Sequence, residues 1–557
     1  MIWRYLPVVR KIPTILSMAG LRALLVLLTV SALILVDGES SGSSLVITTL
    51  QDGTSVHGIT DNSGIDMFLG IRYGVIPKRF ARSRPAWGNG PHVIDATKPG
   101  ANCWQDDTEF FTNETLSEDC LFINVWGDVH ADKKKPVMVW IHGGGFMTGS
   151  GTPVGADGVG LFNGASLALH EDIVVVTLNY RLGSFGFLVL DDKKQTGGMN
   201  GIRDQILALH WVQDNIAHFG GDRNEVTIFG ESAGGESVCM LSIAPDAATL
   251  FKRAIIQSGP CVGPWGPDST AVGQKQRSLI FNALNVSSID ALRAVSPRAL
   301  TKVGWPVAGG EWFYDRDFLP HNTSWYFSSG NVHVEDLIIG GNSYDGLVYF
   351  LHPDIPKTNA EFKQYLNMTY GSATASKVYE AYDPDNSFNG NVFAAFVQQD
   401  GDNNVMCPTL SIAQMLTASA SKTRVWSYYY AHRFDCVDFA GILGLLHRYI
   451  RPPNGFPDWA SHAAELSLLF GNLQFKDYLA KRWDQCAPKM NVAHLAVSRT
   501  MQKLWGDVAR GFPKSSLWRQ FSDNSLVVIA PTAGYVRADF KKKQCAALPS
   551  SQPDHYV

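Results

Sequence analysis

The sequence predicts an α/β fold: one large, mostly parallel central sheet flanked by helices. Three observations predict it. Apolar runs of four to eight residues alternate with longer segments of helical periodicity, the mark of strands joined by crossover helices. One such run, Glu225-Val226-Thr227-Ile228-Phe229, ends abruptly in Gly230-Glu231-Ser232-Ala233-Gly234-Gly235, so that a buried strand turns sharply into a helix beginning near Ser237. Finally, 557 residues with 45% hydrophobic and 18% charged side chains can bury a core of that size and do not have a disordered composition.

At the N-terminus Arg4, Arg10, Lys11 and Arg22 precede an apolar run at residues 23–36. As a helix that run reaches about 21 Å, short of the roughly 30 Å hydrocarbon layer, so a signal-peptide core is expected, with an uncleaved anchor as the alternative. Residues 1–40 are read as signal peptide or anchor, 41–548 as a single domain and 549–557 as a polar tail without a retention signal or apolar anchor. Strands are predicted at 120–126, 137–141, 173–178, 226–229, 254–257, 337–340, 425–430 and 526–529. Between the third and fourth, Ile202, Ile206, Leu209, Val212 and Ile216 fall on one helical face, which reads as core.

The net charge of −4 is spread over interspersed acids and bases, with no basic footprint for nucleic acid. Eight cysteines suit disulfides in an oxidising compartment, and the absence of a CxxC pair argues against structural zinc. Acceptor patterns for N-glycosylation at Asn113, Asn285, Asn322 and Asn367 agree with the secretory route. Secretion or the secretory lumen is the expected location.

A serine hydroxyl attacks carbonyls only when a base removes its proton, and the base needs an acid to fix its tautomer. Ser232, flanked by Gly230 and Gly234, has the setting of such a nucleophile, although a glycine-rich turn whose serine caps a helix would read the same in isolation. Asp345 follows the strand at 337–340, at the carboxyl end where catalytic groups of open parallel sheets collect, and is the preferred acid. The histidines beyond it are His352, His432, His447, His462, His494 and His555, and spacing alone does not choose among them. Context favours His462, which follows a Pro/Gly-rich loop and opens a new element. Backbone donors for an oxyanion come from Ile141-His142-Gly143-Gly144-Gly145-Phe146, where a strand ends in glycines that let a ligand approach the chain. Each aimed donor is worth roughly 3 kcal/mol.

With these residues in place the chain resembles the type-B carboxylesterase/lipase family, which includes carboxylesterases, cholinesterases and the non-catalytic neuroligins. The likeness runs from about residue 45 to 548, through Phe68 to Tyr73, Ser117 to Trp126, His142 to Phe146, Asn179 to Gly183 and Gly230 to Gly235. It implies an α/β-hydrolase fold, with Ser232 as nucleophile, Asp345 as acid, His462 as base and donors from Gly144, Gly145 and Ala233. It also implies that Glu231 tunes the site and that Ser258 supports the acid or base. The resemblance pairs Cys103 with Cys120 and Cys407 with Cys545, while residues 285–293 lack the cysteine of a third family bridge. Cys436 and Cys486 are candidates for a bridge private to this chain, and Cys239 is expected to be a buried thiol.

Two departures touch the site: the acid is Asp where many relatives have Glu, and Ala463 follows the base where glycine is common. Cholinesterases carry a tryptophan for the quaternary ammonium group where Phe110 stands here, and phenylalanine is the weaker cation-π partner, which disfavours choline esters. The expected activity is hydrolysis of a small-molecule or lipid ester through an acyl-serine, without metal or cofactor; the membrane enters only through an uncleaved anchor, and no oligomeric state is implied. The alternatives are a lipase and an adhesion protein on the same scaffold. Adhesion relatives lose the serine and add a membrane stalk after the domain, whereas this chain keeps Ser232 and carries no such run after Cys545.

Overall fold

Thirteen strands form the central sheet. They are β1 Ser44–Thr49, β2 Ser55–Thr60, β3 Asp66–Arg72, β4 Val93–Asp95, β5 Phe122–Gly127, β6 Lys135–Ile141, β7 Val174–Leu178, β8 Gly221–Glu231, β9 Arg253–Gln257, β10 Asp336–Asn342, β11 Arg424–Tyr430, β12 Leu526–Ile529 and β13 Gly534–Val536. The computed structural model describes residues 43–105, 116–151, 160–191, 196–267, 270–308, 315–348, 355–432, 460–472, 492–512, 517–522, 525–532, 534–536 and 539–549. The N-terminal run, Phe110, Asn113, Cys436, Cys486, His352, His447 and the polar tail lie outside these residues. Among the described residues no helix is long and apolar enough to cross a membrane.

The spatial order is β1-β2-β3-β5-β7-β6-β8-β9-β10-β11-β12-β13, with β4 beside β2. From β7 to β12 every pairing is parallel. Strands β2, β3 and β5 extend one side antiparallel, and β13 closes the other. All eight predicted strands are present in this sheet. Those not predicted are β1 to β4 and β13, none of which holds an unbroken apolar run of four: β1 has three, leaving Leu45 and Ile47 exposed and burying Val46.

The parallel strands read as continuous apolar runs because both faces of the sheet are covered. Period-two alternation sorts their side chains into two cores. Val137, Val139 and Ile141 of β6 join one, with Val226 and Ile228 of β8 and Ala254 and Ile256 of β9. Met138 and Trp140 join the other, with Phe229, Ile255 and Ile338. Helix α1, Asn200–Asn215, buries four residues of the predicted face, and the fifth, Ile216, is buried at its C-terminal cap. After β7, Arg181 forks onto the buried Asp204 at 2.7 and 2.8 Å and donates to Ala81 O, so the Asn-Tyr-Arg motif ties that loop to α1.

The order of strands reverses around β6: the chain passes to β7 on one side and returns to β8 on the other. Such a switch point opens a crevice at the carboxyl ends of the strands. Register then levels those ends, with Ile141 opposite Gly230, Glu231 opposite Gln257, and Gln257 opposite Gly340.

Disulfides join Cys103 to Cys120 and Cys407 to Cys545. A third corrects the sequence reading: Cys239 is not a thiol but is bonded to Cys261. Helix α2, Ala233–Leu241, buries Cys239 as expected, yet turns it toward the segment that leaves β9, a proximity created by the adjacency of β8 and β9 and invisible in the spacing. Peptide mapping without reductant is expected to recover the Cys239–Cys261 linkage. Replacing both residues by alanine frees a loop of sequence separation 22 and is expected to cost about 3 kcal/mol in urea unfolding, whereas two free thiols in the native protein would contradict the assignment.

Candidate active site

Ser232 sits between β8 and α2 with φ +57° and ψ −129°, a strained backbone for a residue with a side chain. The strain is enforced by close packing. A Cβ at Gly234 would lie 2.0 Å from Ile141 O, and one at Gly230 would lie 2.5 Å from Gly234 O, so neither position admits any residue but glycine. Ser232 N donates to Gln257 O at 3.0 Å, which anchors the turn to β9.

The loop leaving β6 runs directly against this turn. A Cβ at Gly143 would meet Glu231 O at 2.6 Å and Ser232 Cβ at 3.0 Å. Gly144 and Gly145 take φ of +105° and +59°. Among the described residues the backbone N–H groups of Gly144, Gly145 and Ala233 donate to no protein acceptor, the last because it opens a helix.

Asp345 and His462, the residues expected from the sequence to act as acid and base, are brought together by their loops. Tyr344 pairs with Ser461, Tyr344 N donates to Ala460 O at 2.9 Å, and Ala460 N donates to Ser343 Oγ at 2.9 Å. His462 Nδ1 then lies 2.9 Å from Asp345 Oδ1. Asp345 Oδ2 accepts from Ser258 Oγ at 3.0 Å and from Asn342 N at 2.7 Å, so the carboxylate is held on both oxygens. Of the other histidines, His432 and His494 pair with each other at 2.8 Å. Ser232 Oγ has no hydrogen-bond partner among the described residues. His462 Nε2 instead lies 3.1 Å from Glu231 Oε1, without hydrogen-bond alignment.

Two further groups were not singled out from the sequence. Glu465, three residues beyond His462, is fully buried and accepts from Gln257 Nε2 at 3.0 Å and Asn342 Nδ2 at 2.7 Å. Its spacing from His462 was the available signal, but only the fold supplies its partners. Trp265 stands edge-on to the His462 ring, with centroids 5.7 Å apart. Among the described residues no three side chains gather as a metal site.

Burial, the largest effect on Glu231, raises it to about 8, against the pull of His462 and with help from Glu465 and Asp345. Burial alone would lower His462; Glu231 and Asp345 reverse that and hold it at about 9. Burial also lowers His142 to about 4, which keeps that ring neutral near pH 7.

A model of the carboxylesterase family matches residues 44–548. The chain belongs to the carboxylesterase family. It is accordingly a serine carboxylic ester hydrolase, acting on small-molecule esters. This family member is 30% identical over 567 residues to cocaine esterase of Homo sapiens, covering 93% of this chain and 94% of that protein. It is 30% identical over 533 residues to acetylcholinesterase of Danio rerio, covering 84% and 81%. Among solved structures a PNB esterase matches with a TM-score of 0.72 and 27% identity, over 90% of this chain and 99% of that one.

Two predictions come from this carboxylesterase site. An imidazole accepts a proton only after losing its own, so if His462 is the base expected from the sequence, kcat/KM should rise with pH as it deprotonates. Glu231→Gln removes a neighbouring carboxylate and should shift that limb to lower pH, by about one unit, in a kcat/KM profile; a shift to higher pH would refute the assignment. Ala463, the departure noted next to the base, has φ +63°. Ala463→Gly is expected to relieve about 1 kcal/mol of left-handed strain, seen as a higher thermal midpoint, and no rise would show the strain to be absent.

Proposed function

We propose that Ser232, His462 and Asp345 hydrolyse carboxylic esters through an acyl-serine intermediate. The observation that carries this reading is the 2.9 Å contact of His462 Nδ1 with Asp345 Oδ1 at the strand ends beside Ser232. In the proposed cycle Ser232 Oγ attacks the ester carbonyl carbon while its proton passes to His462 Nε2. Asp345 accepts from Nδ1–H, fixes the tautomer and stabilises the imidazolium. The oxyanion forms toward the N–H groups of Gly144, Gly145 and Ala233, donors that have no acceptor among the described residues. Collapse breaks the bond to the alcohol oxygen, which takes the proton from Nε2 and leaves. Water then gives a proton to Nε2 as it attacks the acyl carbon, and the returned proton releases Ser232 and the carboxylic acid.

In this reading the alcohol carries no quaternary ammonium, because Phe110 stands where cholinesterases place tryptophan. The enzyme works in the secretory lumen or outside the cell, where the three disulfides among the described residues persist.

A p-nitrophenyl ester is expected to give a burst of nitrophenol equal to the enzyme present, and an organophosphate should label Ser232. Ser232→Ala should lower kcat by at least about 10⁴-fold. A folded wild-type protein showing neither burst nor label would overturn the proposal.

A further inference from the structure

We propose that His142 is a positioning residue: its Nδ1–H pins the Gly143 carbonyl and so aims the Gly144 N–H at the oxygen of the reacting ester. The inference rests on the acyl-serine reading and concerns a buried side chain which that mechanism leaves unused.

His142 Nδ1 lies 2.8 Å from Gly143 O. A carbonyl cannot donate, so the ring nitrogen must carry the hydrogen. The opposite tautomer would set a lone pair against that carbonyl and bury an N–H at Nε2, which has no partner among the described residues. The neutral ring therefore has its single proton on Nδ1. Rotation away is blocked. The ring is stacked on Tyr180 at 4.4 Å and 19°, Tyr180 OH donates to His142 O at 2.8 Å, and a Cβ at Gly149 would sit 2.3 Å from Nδ1.

The pin matters because of what surrounds it. Gly143, Gly144 and Gly145 let the chain come close to Ser232, but a peptide between glycines can flip with little steric penalty. The protein contains no cis peptide among its described residues, so the C=O of Gly143 and the N–H of Gly144 point in opposite directions across one plane. Gly143 O is held beside Gly149, while the Gly143 α-carbon faces Ser232. Fixing the carbonyl there fixes the amide as well. The Gly144 N–H, with no acceptor among the described residues, stays available for a developing oxyanion.

Asparagine and glutamine separate the roles of the two ring nitrogens: an Asn amide reaches the place of Nδ1, a Gln amide the place of Nε2. His142→Asn is expected to stay within about tenfold of the wild-type kcat, and His142→Gln and His142→Leu to lose about 100-fold in kcat with KM changed less than about threefold. Inhibition by a trifluoromethyl ketone, whose adduct carries the oxyanion, should weaken in parallel with kcat/KM. Equal activity of the Asn and Gln variants, or a loss carried in KM, would overturn the inference; their comparison stands even where the Leu variant does not fold. Wild-type protein that hydrolyses esters and labels at Ser232 while these variants do not separate refutes the role of His142 alone, whereas wild-type protein that does neither refutes the acyl-serine reading.

Discussion

Everything at this site depends on one close approach, that of the β6 chain end to the turn after β8. Ile141 O lies where a Cβ on Gly234 would intrude at 2.0 Å. That contact requires parallel neighbours in register, Ile141 opposite Gly230, and two glycines that add nothing to the backbone. Given it, the loop of backbone donors and the strained serine become neighbours although they are some ninety residues apart in the chain. Apolar strands buried on both faces hold the register, since a slip of one residue would exchange the two cores.

The second constraint is electrostatic. Three carboxyl groups, Glu231, Asp345 and Glu465, are buried around one imidazole. Such groups are tolerated when each is hydrogen-bonded. Asp345 and Glu465 meet that condition through Ser258, Asn342, Gln257 and His462. Trp505 extends the network by donating to Gln257 Oε1 at 3.0 Å. Glu231 differs, because its Oε1 approaches His462 without a proper hydrogen bond. It is the member of the cluster whose charge is least tied to structure and most tied to the state of the base.

The central strands were legible because burial on both faces writes unbroken apolar runs into the chain, and the turn at Ser232 because sterics leave glycine no substitute at 230 and 234. His462 was less so: six histidines follow Asp345, and what selects this one is a loop pairing, Tyr344 with Ser461, that no local pattern encodes. The same holds for Cys239, whose burial follows from helical spacing but whose partner follows from the order of β8 and β9. Strands β1 to β4 escaped because their apolar runs are short and broken by polar residues or glycine. Glu465 escaped because a carboxylate three residues past a histidine reads as a solvated helical acid until its partners are known.

The two departures near the base bear on each other. The aspartate side chain is short, so its contact with His462 depends on how near the loop bearing His462 comes to the end of β10. The structure supplies that approach through the Tyr344–Ser461 pair, the bond from Ala460 N to Ser343 Oγ, and Asn342 Nδ2, which donates to Ser461 O at 2.8 Å. A loop held at residues 460 and 461 then has to turn away immediately after the base, and it does so at Ala463 in the left-handed region. The left-handed turn at this position is a requirement of the path, and alanine meets it at a cost that glycine would avoid. Tight loop pairing thus holds His462 Nδ1 against Asp345 Oδ1, and the left-handed turn at Ala463 follows from that path.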